Sequence, residues 1–147
     1  MTQEDKDLLI KDLCARLNTK LVCSIYRIDD QGIGYRNEIL YGYCNIDRWN
    51  EFYFGEDCGI SINYVSKIKP YLFQLSSMTE EQKKYISNKW GINEEFDFEI
   101  DPNWGEYFVE LGYTVEFIDW LNKNHFDYRG LIDKSLALDA TGLNIYN

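Results

Sequence analysis

A stretch dense in aromatic and β-branched residues, positions 21–65, limits the folds open to this chain. Residue types of this kind favour strands. The turn-forming residues 29–32 divide the stretch, so residues 21–28 and 33–46 are predicted to pair as a hairpin. Residues 21–28 carry apolar side chains on both faces, which predicts a central strand covered on two sides. Two shorter strands are predicted at 52–54 and 60–65.

The N-terminal segment predicts an amphipathic helix. Thr2 and Asp5 have the spacing of a capping box, with Asp in place of the usual Glu. Leu9, Leu13 and Leu17 then recur every four residues and form one apolar stripe.

Two further helices are predicted later in the chain. Thr79 and Gln82 form a second capping box, before a helix that ends near Trp90. Thr114 begins a third helix, over residues 114–124. Between them, residues 96–101 alternate apolar and acidic side chains, which predicts a half-buried strand with a hairpin partner at 107–111. Short extended pieces are predicted at 136–138 and 143–146.

These elements predict an α+β fold with two to three helices packed on a mostly antiparallel sheet. The chain has 147 residues, a length typical of a single domain, so one domain is expected over residues 1–147. Proline at position 70 predicts that residues 67–72 are extended or form a single turn.

The charge composition excludes some partners. Fifteen basic and twenty-five acidic side chains give a net charge of −10. Such a chain lacks the basic footprint that nucleic-acid polymers and anionic membrane surfaces require. The N-terminal residues are acidic and polar, and no apolar run is long enough for export or for a membrane span. We therefore expect a cytoplasmic protein.

The sequence gives no reason to expect a metal or a cofactor. The four cysteines lack the paired spacing of a zinc site and are expected to be buried thiols; they are Cys14, Cys23, Cys44 and Cys58. The signatures of phosphate-binding loops, dinucleotide-binding loops, serine hydrolases and zinc proteases are all missing. A binding protein is therefore favoured over an enzyme, and no catalytic residue is assigned.

An acidic segment is the first candidate for an interaction site. Residues 94–119 hold nine carboxylates and no Lys or Arg. Asp97, Glu99 and Asp101 share one face of the predicted strand, but their surroundings fail the calcium-loop pattern, with Pro102 where glycine is needed. The segment is interpreted either as a solvated face or as a surface that docks on a basic protein partner.

An aromatic and basic cluster is the second candidate. Some of its rings must belong to the core, but aromatic faces beside basic side chains also suit a nucleobase and its phosphate. For stacking we assign Tyr41, Tyr43, Trp49 and Tyr53, and for phosphate Arg48, Lys67, Lys69 and Arg129.

Two residues near the end of the third helix have alternative interpretations. Arg129 either holds an anionic ligand or pairs with Asp127 or Asp133. His125 is expected at the helix end, where an imidazolium suits the negative pole of the helix dipole.

Two segments also resemble a known group of proteins. Residues 68–83, IKPYLFQLSSMTEEQK, and residues 125–139, which begin HFDYRGLIDK, resemble small proteins of gut Bacteroidales and of their phages and mobile elements. The N-terminal helix around residues 5–9 also matches, whereas the middle of the chain does not. The resemblance implies an intracellular setting on mobile DNA and host–virus conflict, but no activity or site residue.

Together these observations lead to two hypotheses. The first is a non-enzymatic phage or mobile-element protein that sequesters a small ligand, such as a signalling nucleotide, and so opposes a host defence. The second is an acidic interaction or inhibitor module that docks on a basic partner surface.

Overall fold

The computed structural model describes residues 1–29, 32–46, 49–55, 58–90 and 114–146. The helices are α1 (Gln3–Ala15), α2 (Glu80–Trp90) and α3 (Thr114–Lys123), with short 3-10 helices at Ile62–Lys67 and Leu75–Ser77. The strands are β1 (Val22–Asp29), β2 (Gly32–Ile46), β3 (Trp49–Phe54), β4 (Cys58–Ser61), β5 (Ile68–Leu72) and β6 (Leu138–Asp139).

The six strands form one sheet in the order β4-β3-β2-β1-β5-β6. Every neighbouring pair is antiparallel except β5 and β6, which are parallel. The predicted α+β class, with a mostly antiparallel sheet, is confirmed. The extent of the domain stays a prediction, because residues 91–113 lie outside the described part. The strands predicted at 96–101 and 107–111 lie there too.

The strand β2 joins the two halves of the sheet. Its first half pairs with β1, from Val22 opposite Ile39 to Asp29 opposite Gly32. Its second half pairs with β3. Between these halves, Tyr41 and Gly42 together oppose Tyr53, which is a β-bulge. The extra residue interrupts the alternation of side chains along β2. Before the bulge the odd-numbered residues face one side of the sheet, and after it the even-numbered residues face that same side.

One face of the sheet is covered by α1 and by the C-terminal segment. Leu9 and Leu13 of α1 belong to the same buried apolar cluster as Ile25 and Phe52 of the sheet, and all four are fully buried. Thr2 caps α1 as predicted: its side chain accepts from the Asp5 N–H, and Asp5 accepts from the Thr2 N–H. A second apolar cluster joins α2 to α3 through Met78, Ile86, Trp90, Phe117, Leu121 and Phe126.

Three local predictions were wrong. The strand predicted at 60–65 ends at Ser61, where the serine side chain accepts from the Asn63 N–H and caps a 3-10 helix. The central strand β1 is not covered on both faces along its length, since Ile28 is 69% exposed. Residues 143–146 are irregular, and only residues 138–139 of the C-terminal segment form a strand.

Pro70 lies inside strand β5, opposite Cys23. Proline has no N–H to donate, so it is confined to positions where the ladder needs no donor. The β1–β5 ladder is only three pairs long, and β6 begins to pair one residue later, at Tyr71. The extended interpretation is confirmed for residues 68–72, whereas Lys67 ends the preceding 3-10 helix.

Candidate functional site

The candidate site is the face of the sheet opposite α1, which we call the open face. Its residues alternate with the buried ones: Cys23 and Ile25 face the core, whereas Ser24, Tyr26 and Ile28 face the other way. The open face carries several exposed apolar and aromatic side chains: Ile28, Ile33, Tyr35, Tyr41 and Tyr53. Ile28 and Ile33 are opposite residues of the hairpin, and Tyr35 is two positions along from Ile33. Neighbouring exposed apolar side chains of this kind mark interaction sites.

Tyr26 and Tyr35 form the centre of this face. They are opposite residues of the β1–β2 hairpin, and their rings meet edge to face with centroids 5.3 Å apart. The Leu40 N–H donates to the Leu21 carbonyl, so Leu21 and Leu40 are a hydrogen-bonded pair. Hydrogen-bonded and non-hydrogen-bonded pairs alternate along an antiparallel ladder. Tyr26 and Tyr35 are therefore a pair without mutual hydrogen bonds. Side chains of such pairs lie closest together.

The ammonium group of Lys67 lies beside two tyrosine rings, those of Tyr64 and Tyr26. Its Nζ lies 4.8 Å from the Tyr64 ring centroid and 5.7 Å from the Tyr26 ring centroid. The Tyr64 side chain is 57% exposed. One ammonium therefore lies between two rings at the edge of the open face.

Asn37, Ser24 and Lys69 form the adjacent row. Ser24 pairs with Asn37 on one side and with Lys69 on the other. Ser24 is only 5% exposed, whereas Asn37 is exposed and Lys69 half-buried. Neighbouring groups therefore cover Ser24 almost completely. We call the residues of these two rows, with Tyr64, the tyrosine–lysine patch: Ser24, Tyr26, Tyr35, Asn37, Tyr64, Lys67 and Lys69.

Tyr41 and Tyr53 lie at the bulge, apart from this patch. Tyr41 is six positions along β2 from Tyr35, about 20 Å at ~3.3 Å per residue. Desolvation and the neighbouring Glu51 carboxylate raise the pKa of the Tyr53 phenol. These tyrosines are exposed as stacking residues must be, but the lysines predicted to bind phosphate, Lys67 and Lys69, are not beside them.

Tyr43 faces the core rather than a ligand. Its ring packs against Phe52 with centroids 4.9 Å apart, and its hydroxyl donates to Asn50. Tyr43 is therefore one of the rings of the aromatic and basic cluster that belong to the core. Arg48 lies outside the described residues, as does the side chain of Trp49.

Arg129 lies on the covered side of the sheet, in an ion-pair network with α1. Its Nη1 donates to Asp12 Oδ1 at 2.8 Å, and its guanidinium lies 4.6 Å from the centroid of the Tyr128 ring. The partner carboxylate is Asp12, not Asp127 or Asp133. The structure therefore does not bring Arg129 together with Lys67 and Lys69.

His125 follows α3 as predicted, but it is not an imidazolium. The residue is 7% exposed, and its ring stacks on Tyr146 with centroids 3.9 Å apart. Burial, and then the charge of Arg16, lower its pKa to about 4. The expected charge interaction with the helix dipole is therefore wrong at neutral pH.

The remaining predicted features add no site. Among the described cysteines, Cys14, Cys23 and Cys44 are free thiols, and burial raises the pKa of Cys23 well above its usual value. Within the described ranges, no three His, Cys, Asp or Glu side chains are grouped to hold a metal ion. Of the helices in those ranges, none has the length and apolar character to cross a bilayer. The acidic residues Asp97, Glu99 and Asp101 lie outside the described part, so their docking role stays a prediction.

Sequence reasoning missed Tyr26 and chose neither Tyr35 nor Tyr64 for the site. Tyr26 and Tyr35 could have been found from the turn predicted at residues 29–32, because a hairpin closed there places them opposite each other. Tyr64 carried no such signal, since it was expected in a strand.

Comparisons with known proteins do not add an assignment. No protein-family model, curated protein or solved structure matches the chain.

Proposed function

We propose that this chain is a binding protein that holds a small nucleotide on the tyrosine–lysine patch. One observation carries the proposal: Lys67 lies between the rings of Tyr64 and Tyr26, and Tyr35 lies beside Tyr26. Aromatic rings on which a base can stack therefore lie close to an ammonium group that can bind a phosphate, so one nucleotide can contact both.

The energies of these contacts support a ligand in this place. Stacking of a base on an aromatic side chain contributes about 1–3 kcal/mol. The exposed contacts of Lys67 with its rings contribute only about 0.5–1 kcal/mol each. A charge-assisted hydrogen bond to phosphate is stronger, so Lys67 can leave its rings for a phosphate at little cost.

The charges favour a small anion over a long one. The chain as a whole carries −10 and repels a polyanion, whereas Lys67 and Lys69 lie two residues apart on one edge of the patch. Neutralising one phosphate needs only such a local pair. This agrees with the expectation that nucleic-acid polymers do not bind.

The resemblance to proteins of phages and mobile elements suggests what such binding would be for. A protein that sequesters a signalling nucleotide lowers its free concentration and so silences the response that depends on it. This role requires no catalytic group.

The proposal is tested by thermal unfolding with a panel of nucleoside mono-, di- and triphosphates and cyclic nucleotides. A ligand at about 100 times its dissociation constant stabilises the folded state by roughly 2.7 kcal/mol, which is readily seen as a rise in Tm. We expect a rise for at least one nucleotide. No rise across the panel at millimolar excess contradicts the proposal.

Two matched pairs of variants then locate the site. Tyr64→Leu should weaken binding about tenfold, whereas Tyr41→Leu, at an equally exposed tyrosine by the bulge, should leave it unchanged. Lys67→Gln should weaken binding, whereas Lys84→Gln, with the same charge change on the exposed side of α2, should not. Equal losses within either pair would place the ligand elsewhere.

A further inference from the structure

We infer that the ligand of the tyrosine–lysine patch is a dinucleotide, with its two bases on Tyr64 and Tyr35 and the phosphate that joins them on Lys67. The inference rests on the proposed nucleotide binding and adds the chemical class of the ligand. It starts from the two most exposed rings of the patch, since the side chain of Tyr64 is 57% exposed and that of Tyr35 is 66% exposed.

These rings lie at the two ends of one row of side chains. The ammonium of Lys67 lies 4.8 Å from the centroid of the Tyr64 ring and 5.7 Å from that of the Tyr26 ring. The centroid of the Tyr35 ring lies 5.3 Å from that of Tyr26. Lys67 directly precedes β5, and β5 and β2 lie on opposite sides of β1. The order along the row is therefore Tyr64, Lys67, Tyr26 and Tyr35.

The middle ring of the row is the least available to a base. Tyr26 is half-buried, with the Tyr35 ring against it on one side and the Lys67 ammonium on the other. A mononucleotide has one base and can use only one of the exposed end rings. A ligand with two bases uses both rings, its joining phosphate lies near Lys67, and the sugar between that phosphate and the second base lies over Tyr26.

Alternation of aromatic and basic side chains is the pattern by which proteins bind single-stranded nucleic acids. In them, successive bases stack on aromatic side chains, and basic groups follow the phosphates. Here the row is short, because the next exposed tyrosine along β2, Tyr41, lies about 20 Å from Tyr35. The net charge of −10 also disfavours a longer strand. The patch therefore fits two nucleotides rather than a polymer.

The experiment compares two ligands by calorimetry, for each of the bases A, C, G and U. The first is the dinucleoside monophosphate, and the second is the methyl ester of the mononucleotide, in which a methyl group replaces the second nucleoside. Both carry one phosphodiester and the same single charge, so a difference in affinity comes from the second nucleoside. For at least one base, the dinucleotide should bind about tenfold more tightly, because one more base is stacked.

Tyr35→Leu tests the second ring. The methyl ester should place its phosphate on Lys67 and its base on Tyr64, the exposed ring nearer to the ammonium. Tyr35→Leu should therefore weaken the binding of the dinucleotide about tenfold and leave that of the methyl ester unchanged, which also shows that the variant folds. Tyr41→Leu, at a similarly exposed tyrosine of the same strand, is the matched control and should change neither affinity.

A cyclic dinucleotide of the same base distinguishes the two sources of such a ligand. A linear dinucleotide is a product of nucleic-acid cleavage, whereas a cyclic one is made as a signal. Tighter binding of the cyclic form supports the inference with a signalling molecule as the ligand. Binding of the linear form that is at least as tight supports it with a cleavage product as the ligand.

The remaining outcomes separate the two proposals. If the dinucleotide and the methyl ester bind equally for every base, the inference is overturned while nucleotide binding stands. An advantage of the dinucleotide that survives in Tyr35→Leu also overturns it, since the second base then lies elsewhere. If no nucleotide binds the wild type, the proposed function fails and the inference fails with it.

Discussion

Arg129 and Asp12 are 117 residues apart in the chain, yet Arg129 Nη1 lies 2.8 Å from Asp12 Oδ1. The other oxygen of the same carboxylate accepts from Arg16 Nε, also at 2.8 Å. Asp12 and Arg16 are both fully buried, and Arg16 donates further to the Phe126 carbonyl at 2.7 Å. One carboxylate on α1 therefore ties the first helix to the segment that follows α3.

Replacing this carboxylate should destabilise the chain strongly. In Asp12→Ala the guanidinium of Arg16 stays buried without its counter-charge. Breaking a buried pair in this way costs about 3–5 kcal/mol. The free energy of unfolding, measured in urea, should fall by this amount.

Asp7→Ala on the same helix is the control for the loss of a carboxylate. Asp7 is exposed, and within the described part of the chain its side chain accepts only from Gln3 of the same helix. Its removal should therefore change stability by no more than about 0.5 kcal/mol. Equal effects of the two variants would show that Asp12 is not the buried anchor that the structure describes.

The assignment of the two sheet faces can be tested on one strand. Ile25 is fully buried against α1, whereas Ile28 is 69% exposed on the open face. Ile25→Ala should therefore cost about 2–5 kcal/mol, as in other cores. Ile28→Ala should cost under about 1 kcal/mol, since little apolar area leaves the interior.

Urea unfolding of both variants, under identical conditions, provides the comparison. A large cost at Ile28 would mean that the open face is covered and that the tyrosine–lysine patch is not accessible. The same strand, residue type and substitution serve in both, so the differences in strand propensity largely cancel.

Elements specified by short-range signals could be predicted from the sequence. The hairpin at 29–32 follows from turn residues between strand-forming runs, and the two capping boxes follow from residues three positions apart. In each case the contacts that stabilise the element lie within a few residues. The local sequence therefore determines most of the interactions that form these elements.

The site could not be predicted in the same way, because it depends on register and on distant contacts. Tyr41 and Tyr43 differ by two positions and were expected together, but the bulge at Gly42 places Tyr43 in the core and leaves Tyr41 exposed. The contact of Lys67 with Tyr26 requires β5 to lie beside β1, across 41 residues of sequence. No local pattern encodes either fact.

The capping box of α2 should contribute measurably to stability. Thr79 Oγ1 accepts from the Gln82 N–H at 3.2 Å, and the Gln82 side chain accepts from the Thr79 N–H at 2.9 Å. Thr79→Ala removes the cap and should cost about 1 kcal/mol, whereas Thr79→Ser retains the hydroxyl and should cost little. Thermal unfolding of both variants checks this, and equal Tm values for the two would contradict it.

His125 should make stability depend on pH in a defined direction. Its pKa is about 4 in the folded chain, lowered by burial from an ordinary value of 6.5. As the pH falls below 6.5, the unfolded chain takes up a proton that the folded chain does not. Stability is therefore fully present above pH 6.5 and declines until the pH reaches about 4, by roughly 3 kcal/mol in total.

The contribution of His125 is isolated by comparison with His125→Phe, which keeps an aromatic ring on Tyr146 but cannot titrate. Burial raises the pKa of the neighbouring Asp127, which acts in the opposite direction as the pH falls. Because Asp127 is present in both chains, its effect cancels in the difference between their unfolding free energies. That difference, measured by urea titration from pH 7.5 to 4, should move in favour of His125→Phe as the pH falls. A difference that does not change with pH would show that His125 is as accessible to protons in the folded chain as in the unfolded one.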